Sequence, residues 1–351
     1  MSTDPGKKKL IQHIHMSQRP RIHILWEFSD KPWGGGNQFL KALKTQFVAQ
    51  GLNAETPETA DVILFNSHQF QKQALQLKRK YPKKVFIHRV DGPLFHTRGD
   101  SGIATDRAIF YCNRLIADGT VFQSKWSRNE SYRQGMGKNR HETCIINAPD
   151  PMIFHATQGR HQRADNKIRL IATTWSSNPR KGFDIFNYLD DHLDFSTYSM
   201  TFVGNTETSF RNINAISPQP SEKLADLLRG HDIFIAASQG EPCSNSFLEA
   251  LHCGLPAVAR NNSSYPELLN GNGLLFNGTE DVLQTIGNIA RHIDAYRANI
   301  NVLSMTEVAT LYIDFITAIY RRVAERTYAT KRLSPLSYLH ARLLLKYLRK
   351  A

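Results

Sequence analysis

From residue 21 onward the chain alternates between two kinds of segment. Short runs rich in β-branched and aromatic residues predict strands: RIHILW (21–26), DVILF (61–65), VFIHRV (85–90), TVFQS (120–124) and TCIIN (143–147). Between them lie stretches whose apolar residues recur every three or four positions, predicting helices at 37–50, 68–81, within 102–117 and at 125–134. HATQGRHQRADN (155–166) breaks the pattern; it is polar, carries Gly, has no period, and reads as an interdomain linker. The alternation then restarts, with strands at 168–174 (IRLIATT), 200–204, 232–238 (DIFIAAS) and 256–260, and helices at 182–193, 221–229 and 245–253. A long helical tail runs from about 279. Strand–helix–strand repetition predicts an α/β fold of parallel sheets covered on both faces. The polar break favours two Rossmann-like domains, at 20–160 and 161–310, followed by C-terminal helices at 311–351. No repeat of solenoid period is visible.

Open parallel sheets bind ligands beyond the carboxyl ends of their strands, so the segments following strands hold the candidate chemistry. Directly after DIFIAAS comes Glu241-Pro-Cys-Ser-Asn-Ser-Phe-Leu-Glu249. With Glu241 in a loop and Glu249 in the first turns of a helix, both carboxylates can face one cleft. Ser244, Asn245 and Ser246 supply N-cap oxygens, and the free amides of that helix end can hold a phosphate. A carboxylate is also an acceptor for the paired hydroxyls of a ribose. A competing reading is local: Ser246-x-x-Glu249 is a capping box, which would occupy Glu249 with backbone N–H groups. After ATTWSS comes Asn178-Pro-Arg-Lys-Gly182, where Arg180 and Lys181 offer cations for a diphosphate, or form a solvated basic turn. Gly34-Gly35-Gly36-Asn37 follows the first strand and either lets the backbone approach a phosphate or sugar or is simply a flexible turn; it is not G-x-G-x-x-G, so a dinucleotide is not indicated. At the end of the third strand, in His88-Arg89-Val90-Asp91-Gly92-Pro93, Asp91 and then His88 are candidate contacts to a donor sugar or acceptor hydroxyl. Asp91 could equally start a turn with Gly92-Pro93.

The segment E-P-C-S-N-S-F-L-E-A-L-H-C-G-L-P-A-V resembles the E-x7-E signature of glycogen-synthase-like, family 4 retaining glycosyltransferases, including the E-A-(x)3-G-x-P element that follows. The turn at Lys181-Gly182 is similar to that family's phosphate-binding K-G turn, although the Arg expected some residues earlier falls in Trp175-Ser176-Ser177. The loop at Gly35 and Gly36 sits where the family has its first-domain glycine loop, and Asn147-Ala-Pro-Asp150 with Ile153-Phe154 resembles its N-G-V-D-x-x-x-F segment. The resemblance spans roughly residues 20–325 and is sharpest in 175–270. It implies a GT-B fold, with two domains facing a central cleft and C-terminal helices returning in part to the first. It implies Glu241 on the transferred sugar, Glu249 on the nucleotide ribose, and transfer with retention to a saccharide or lipid-linked acceptor. Cell-surface polysaccharide or glycolipid assembly is the setting the resemblance suggests. No cofactor is expected beyond the nucleoside diphosphate sugar as co-substrate. No D-x-D pair follows a strand, Asp190-Asp191 reads as surface charge on a helix, and no metal is expected.

Composition adds location and partners. The 351 residues are 41% hydrophobic and 21% charged, which suits a globular protein with real cores. No run approaches the roughly 20 apolar residues of a membrane-spanning helix, and the first residues lack the apolar region of a secretory signal. The four cysteines have no zinc-like spacing, and a cytoplasmic location is expected. The net charge of +13 favours anionic partners. Much of it lies at the ends, in Lys7, Lys8 and Lys9 and in the six basic, acid-free positions of 331–351. There Leu336, Leu339, Leu343, Leu344 and Tyr347 make a helical stripe, which either lies on an anionic membrane or packs on the first domain. Two other function classes remain open: a nucleotide-sugar isomerase or hydrolase on the same fold, and a basic nucleic-acid binder. Aromatic residues do not interleave with the basic clusters as a base-stacking platform needs, so no nucleic-acid partner is expected.

Overall fold

In a computed structural model the described residues are 19–29, 35–157 and 166–348. Gly34, most of the expected linker, and the basic positions Lys7, Lys8, Lys9, Arg349 and Lys350 lie outside them.

The first sheet runs β1 (Ile22–Leu25), β2 (Val62–Asn66), β3 (Val85–Val90), β4 (Gly119–Phe122), β5 (Glu142–Cys144), each strand parallel to the next. Successive side chains point to opposite faces. Ile22, Ile24, Val62, Leu64, Val85 and Ile87 pack with α1 (Gly35–Ala49). Ile63, Phe65 and Phe86 pack with α2 (Gln71–Lys80) and α4 (Asp100–Ile116). Both faces are buried, which is why these strands read as continuous apolar runs. A short α3 (Phe95–Arg98) follows β3, and α5 (Lys125–Arg133) follows β4.

The second sheet is also parallel, in the order β11 (Gly273–Phe276), β10 (Ala257–Arg260), β9 (Ile233–Ala236), β6 (Ile168–Thr174), β7 (Tyr198–Gly204), β8 (Asn214–Ile216). Its helices are α6 (Phe183–His192), α7 (Ser221–Arg229), α8 (Asn245–His252), α9 (Tyr265–Leu269), α10 (Val282–Arg291) and α11 (Ile293–Ala298). From β6 the chain builds outward through β7 to β8, then returns to β9 on the other side of β6. Strand order therefore reverses between β6 and β9, and the carboxyl ends of those two strands flank the switch point where such sheets bind ligands. Asn178–Gly182 follows the first of these strands and Glu241 the second.

The expected single tail is four helices. After α10 and α11, a capping box of Ser304 and Glu307 opens α12 (Met305–Ala324). Met305, Val308, Tyr312, Ile313 and Ile316 of α12 lie in the same core as Ile22 and Phe39. The return to the first domain thus begins at Met305, ahead of the expected boundary at 311. A buried Asp118 then anchors the chain between α12 and α13 (Pro335–Leu348). Its carboxylate takes Lys78 Nζ at 2.9 Å and accepts from Phe86 N, the Tyr328 hydroxyl and Lys331 N.

Candidate active site between the two lobes

A cavity of about 500 Å³ lies at the switch point, lined by both lobes. The first lobe contributes Gly35, Gln38 and Lys41, spaced by three along one side of α1. The second contributes Trp175 and Lys181 after β6, Glu241 after β9, and Ser244, Asn245, Ser246 and Glu249 from α8. Of the residues singled out from sequence, Gly35, Lys181, Glu241, Ser244, Asn245, Ser246 and Glu249 meet here.

Each is positioned by a local device. The Asn178 side chain accepts from Arg180 N at 2.9 Å and caps a single 3₁₀ turn, Pro179–Lys181. Gly182 ends the turn at φ +95°, and a Cβ there would stand 2.4 Å from that of Ala237, so only glycine fits. This turn aims Lys181 at Glu241, and the two form an ion pair. Ser244 caps α8 by accepting from Phe247 N. The amides of Asn245 and Ser246 precede the first intrahelical acceptor, and a helix leaves such groups for a ligand.

The capping-box alternative for Glu249 fails, because Ser244 is the cap. Among the described residues nothing donates to the Glu249 carboxylate. The side chain keeps part of its surface on the cavity, yet surrounding protein strips enough water to push the carboxyl up to about 7. This is a desolvated acceptor without a protein partner.

Gly35 shows how closely the lobes meet. A Cβ there would lie 1.9 Å from Asn245 Nδ2. The lobes touch elsewhere as well. Ser124 donates to the Pro242 carbonyl at 2.6 Å. Glu267 accepts from Lys125 N and Trp126 N at the start of α5, an acid at the positive end of a helix.

Four expectations need correction. His88 is fully buried in β3, stacked on Phe65, with Nε2 on the Ser67 carbonyl and Nδ1 beside Asn113. Burial lowers its imidazole to about 4, so it is a neutral core residue away from the cavity. Asp91 does not line the cavity either. Its carboxylate is the counter-ion of buried Arg89 and also accepts from Asn66 and Gln123. A guanidinium keeps its proton, so burying Arg89 requires this partner. Asp91 supports the site indirectly, since Arg89 donates to Asn147 and Asn147 donates to Asn245 at 2.8 Å. Arg180 turns to the His96 carbonyl of the first lobe at 2.6 Å and leaves Lys181 as the cavity's cation from that turn. Asp190 is buried rather than surface charge; it accepts from the amides of Arg211, Asn212 and Ile213, while Asp191 pairs with Arg211.

Gly36 adjoins the cavity without lining it. Sequence reasoning missed Gln38, Lys41, half-exposed Trp175 and the edge 218–222. The first two were readable from their three-residue spacing after Gly35. Among the described residues, no three His, Cys, Asp or Glu side chains gather where a metal could sit, and no helix is long and apolar enough to cross a membrane.

Residues 194–293 match the family described as Glycosyl transferases group 1. A search of curated protein sequences gives no match. Among solved structures the chain resembles HepE of Anabaena in complex with UDP-glucose, with a TM-score of 0.61 and 15% identity over 88% of this chain and 99% of that one. It also resembles sucrose-phosphate synthase from Thermosynechococcus elongatus (TM-score 0.59, 13% identity, 95% and 100% covered). A third is the catalytic domain of starch synthase IV from Arabidopsis thaliana bound to ADP and acarbose (0.58, 12%, 83% and 79%). The fold is GT-B. With the family match in its second lobe, the chain is a glycosyltransferase, a transferase enzyme.

Proposed function

We propose, from the premise of a glycosyltransferase domain on a two-lobed frame, that the chain moves a sugar with retention and without a metal. The donor is a nucleoside diphosphate sugar and the acceptor a hydroxyl of a saccharide or lipid-linked sugar. The observation that carries this reading is the meeting, in one cavity, of the Lys181–Glu241 pair, partnerless Glu249 and the amino end of α8.

The donor's ribose hydroxyls satisfy Glu249, and its diphosphate rests on the amides of Asn245 and Ser246 beside Lys181. Those groups stabilise the charge that grows on the diphosphate as the glycosidic bond breaks, and they are in place beforehand. Glu241 accepts from a hydroxyl of the transferred sugar while Lys181 is drawn toward phosphate. The acceptor oxygen attacks from the face the diphosphate leaves, its proton passing to a departing phosphate oxygen. Contact of the lobes around Gly35 keeps water from the donor. The UDP-glucose bound by HepE and the ADP bound by starch synthase IV support this donor class, and the edge 218–222 and Trp175, which line the same cavity, are where base and sugar would be distinguished. We place the enzyme in the cytoplasm, in peripheral contact with the inner face of the membrane through its basic C-terminal helix.

UDP-, GDP- and ADP-sugars are to be screened for stabilisation of the native state. The hit is then incubated with and without saccharide or lipid-linked acceptors. Acceptor-dependent turnover giving the donor's anomeric configuration is expected. Turnover without any acceptor would instead mean an isomerase or hydrolase.

A further inference from the structure

The last helix has two unlike faces. Tyr338, Ala341 and Leu345 of α13 turn inward onto α2 and α4. Leu336, Leu339 and Leu343, three and four positions apart, share the opposite side. They are 81%, 56% and 58% exposed. Single leucines on a surface are ordinary, whereas three on one stripe form an apolar ridge.

The ridge is set among cations. Arg79 of α2 and Arg342 of α13 lie over the Tyr338 ring, 4.9 and 5.7 Å from its centre. On the other flank Arg114 lies over Tyr111 at 5.1 Å, and the Tyr111 hydroxyl meets His340 at 2.7 Å. All three arginines are exposed. Neither α2 nor α13 contains an acidic residue. Of the two acids of α4, Asp106 is buried on the amides of Leu94 and Phe95, and exposed Asp100 stands in the first turn, at the other end of the helix from Arg114.

We propose that this face is a docking ridge for an anionic phospholipid surface. The three leucines enter the boundary between headgroups and acyl chains, and Arg79, Arg342 and Arg114 meet the lipid phosphates. The two flanks of positive charge argue for this occupant. A second copy of the chain would bring arginines against arginines, whereas an anionic bilayer offers both the apolar depth and the opposite charge. The proposal deepens the peripheral contact given above and rests on it. The donor cavity plays no part in it.

The full chain is to be sedimented with vesicles of phosphatidylcholine, and with vesicles of equal parts phosphatidylcholine and phosphatidylglycerol. Binding to the mixed vesicles alone is expected, weakening with salt. Leu339→Glu with Leu343→Glu should abolish it, and each of Arg79→Gln and Arg342→Gln should weaken it about fivefold. All variants should keep the parent's unfolding temperature and its stabilisation by the donor, measured without lipid. Loss of donor response in the parent would sink the enzyme reading and leave the ridge standing. Equal binding to both vesicle types, or binding unchanged in all variants, would overturn the ridge. So would self-association that Leu339→Glu removes, since the occupant would then be a second copy.

Discussion

Replacing Glu249 by Gln should make the ligand-free protein more stable while spoiling donor binding. The Glu249 carboxyl ionises at about 7 in the folded chain, against an ordinary value of 4.5. An acid whose folded value is raised is protonated in both states below pH 4.5 and adds nothing there. Between pH 4.5 and 7 the unfolded chain releases its proton and the folded one does not, so the native state loses stability as pH rises. The loss levels off above 7 at about 3 kcal/mol. Gln keeps the shape and removes the charge. Urea unfolding at pH 8 should therefore show the variant more stable, by up to about 3 kcal/mol, and the difference should shrink toward zero near pH 4.5. Donor binding should move the other way. Hydrogen bonds to a charged acceptor contribute about 1.5–3 kcal/mol, so the variant should lose roughly ten- to a hundredfold in donor affinity, and the parent's affinity should rise as pH passes 7. If Gln destabilised the free protein equally at both pH values, Glu249 would be a structural acceptor and the ribose assignment would fall.

Three further outcomes are expected. Asp118→Asn breaks the buried pair with Lys78 and the anchor of the C-terminal return, so urea unfolding should show a loss of about 3–5 kcal/mol. Lys181→Ala should raise the donor KM at least about tenfold, while Arg180→Ala, whose guanidinium reaches the His96 carbonyl, should change it far less; steady-state kinetics with the selected donor separates them. Gly35→Ala puts a methyl group against the Asn245 side chain, which must shift at the amino end of α8 where the donor is proposed to sit, so kcat should fall more than about tenfold with the unfolding temperature nearly unchanged.

The sequence displayed the architecture well because parallel strands buried on both faces are bounded by long periodic helices. That Glu241 and Glu249 line one cavity was legible because a strand end and a helix start fix the sides on which two residues eight apart emerge. Asp91 and His88 were misread for the opposite reason. Every position of β3 is buried, so alternation carries no sign of which side chains reach the cleft, and the charge of Arg89 captures Asp91 through the fold rather than through the motif. Arg180 and Lys181 are neighbours in the chain, but one 3₁₀ turn sends them to different lobes. β8 and β11, three and four residues long and partly exposed, have too little period to be seen. The stripe of α13 was visible as leucines. Only packing separates the inward residues Tyr338, Ala341 and Leu345 from the outward Leu336, Leu339 and Leu343.

The convergence of both carboxylates and the α8 amino end on one donor is tested most directly by a crystal structure with the nucleoside diphosphate that the screen selects. Phosphate oxygens should lie about 2.7–3.2 Å from the amides of Asn245 and Ser246, with both ribose hydroxyls on Glu249. A nucleotide bound elsewhere, or one whose ribose leaves Glu249 untouched, would contradict it.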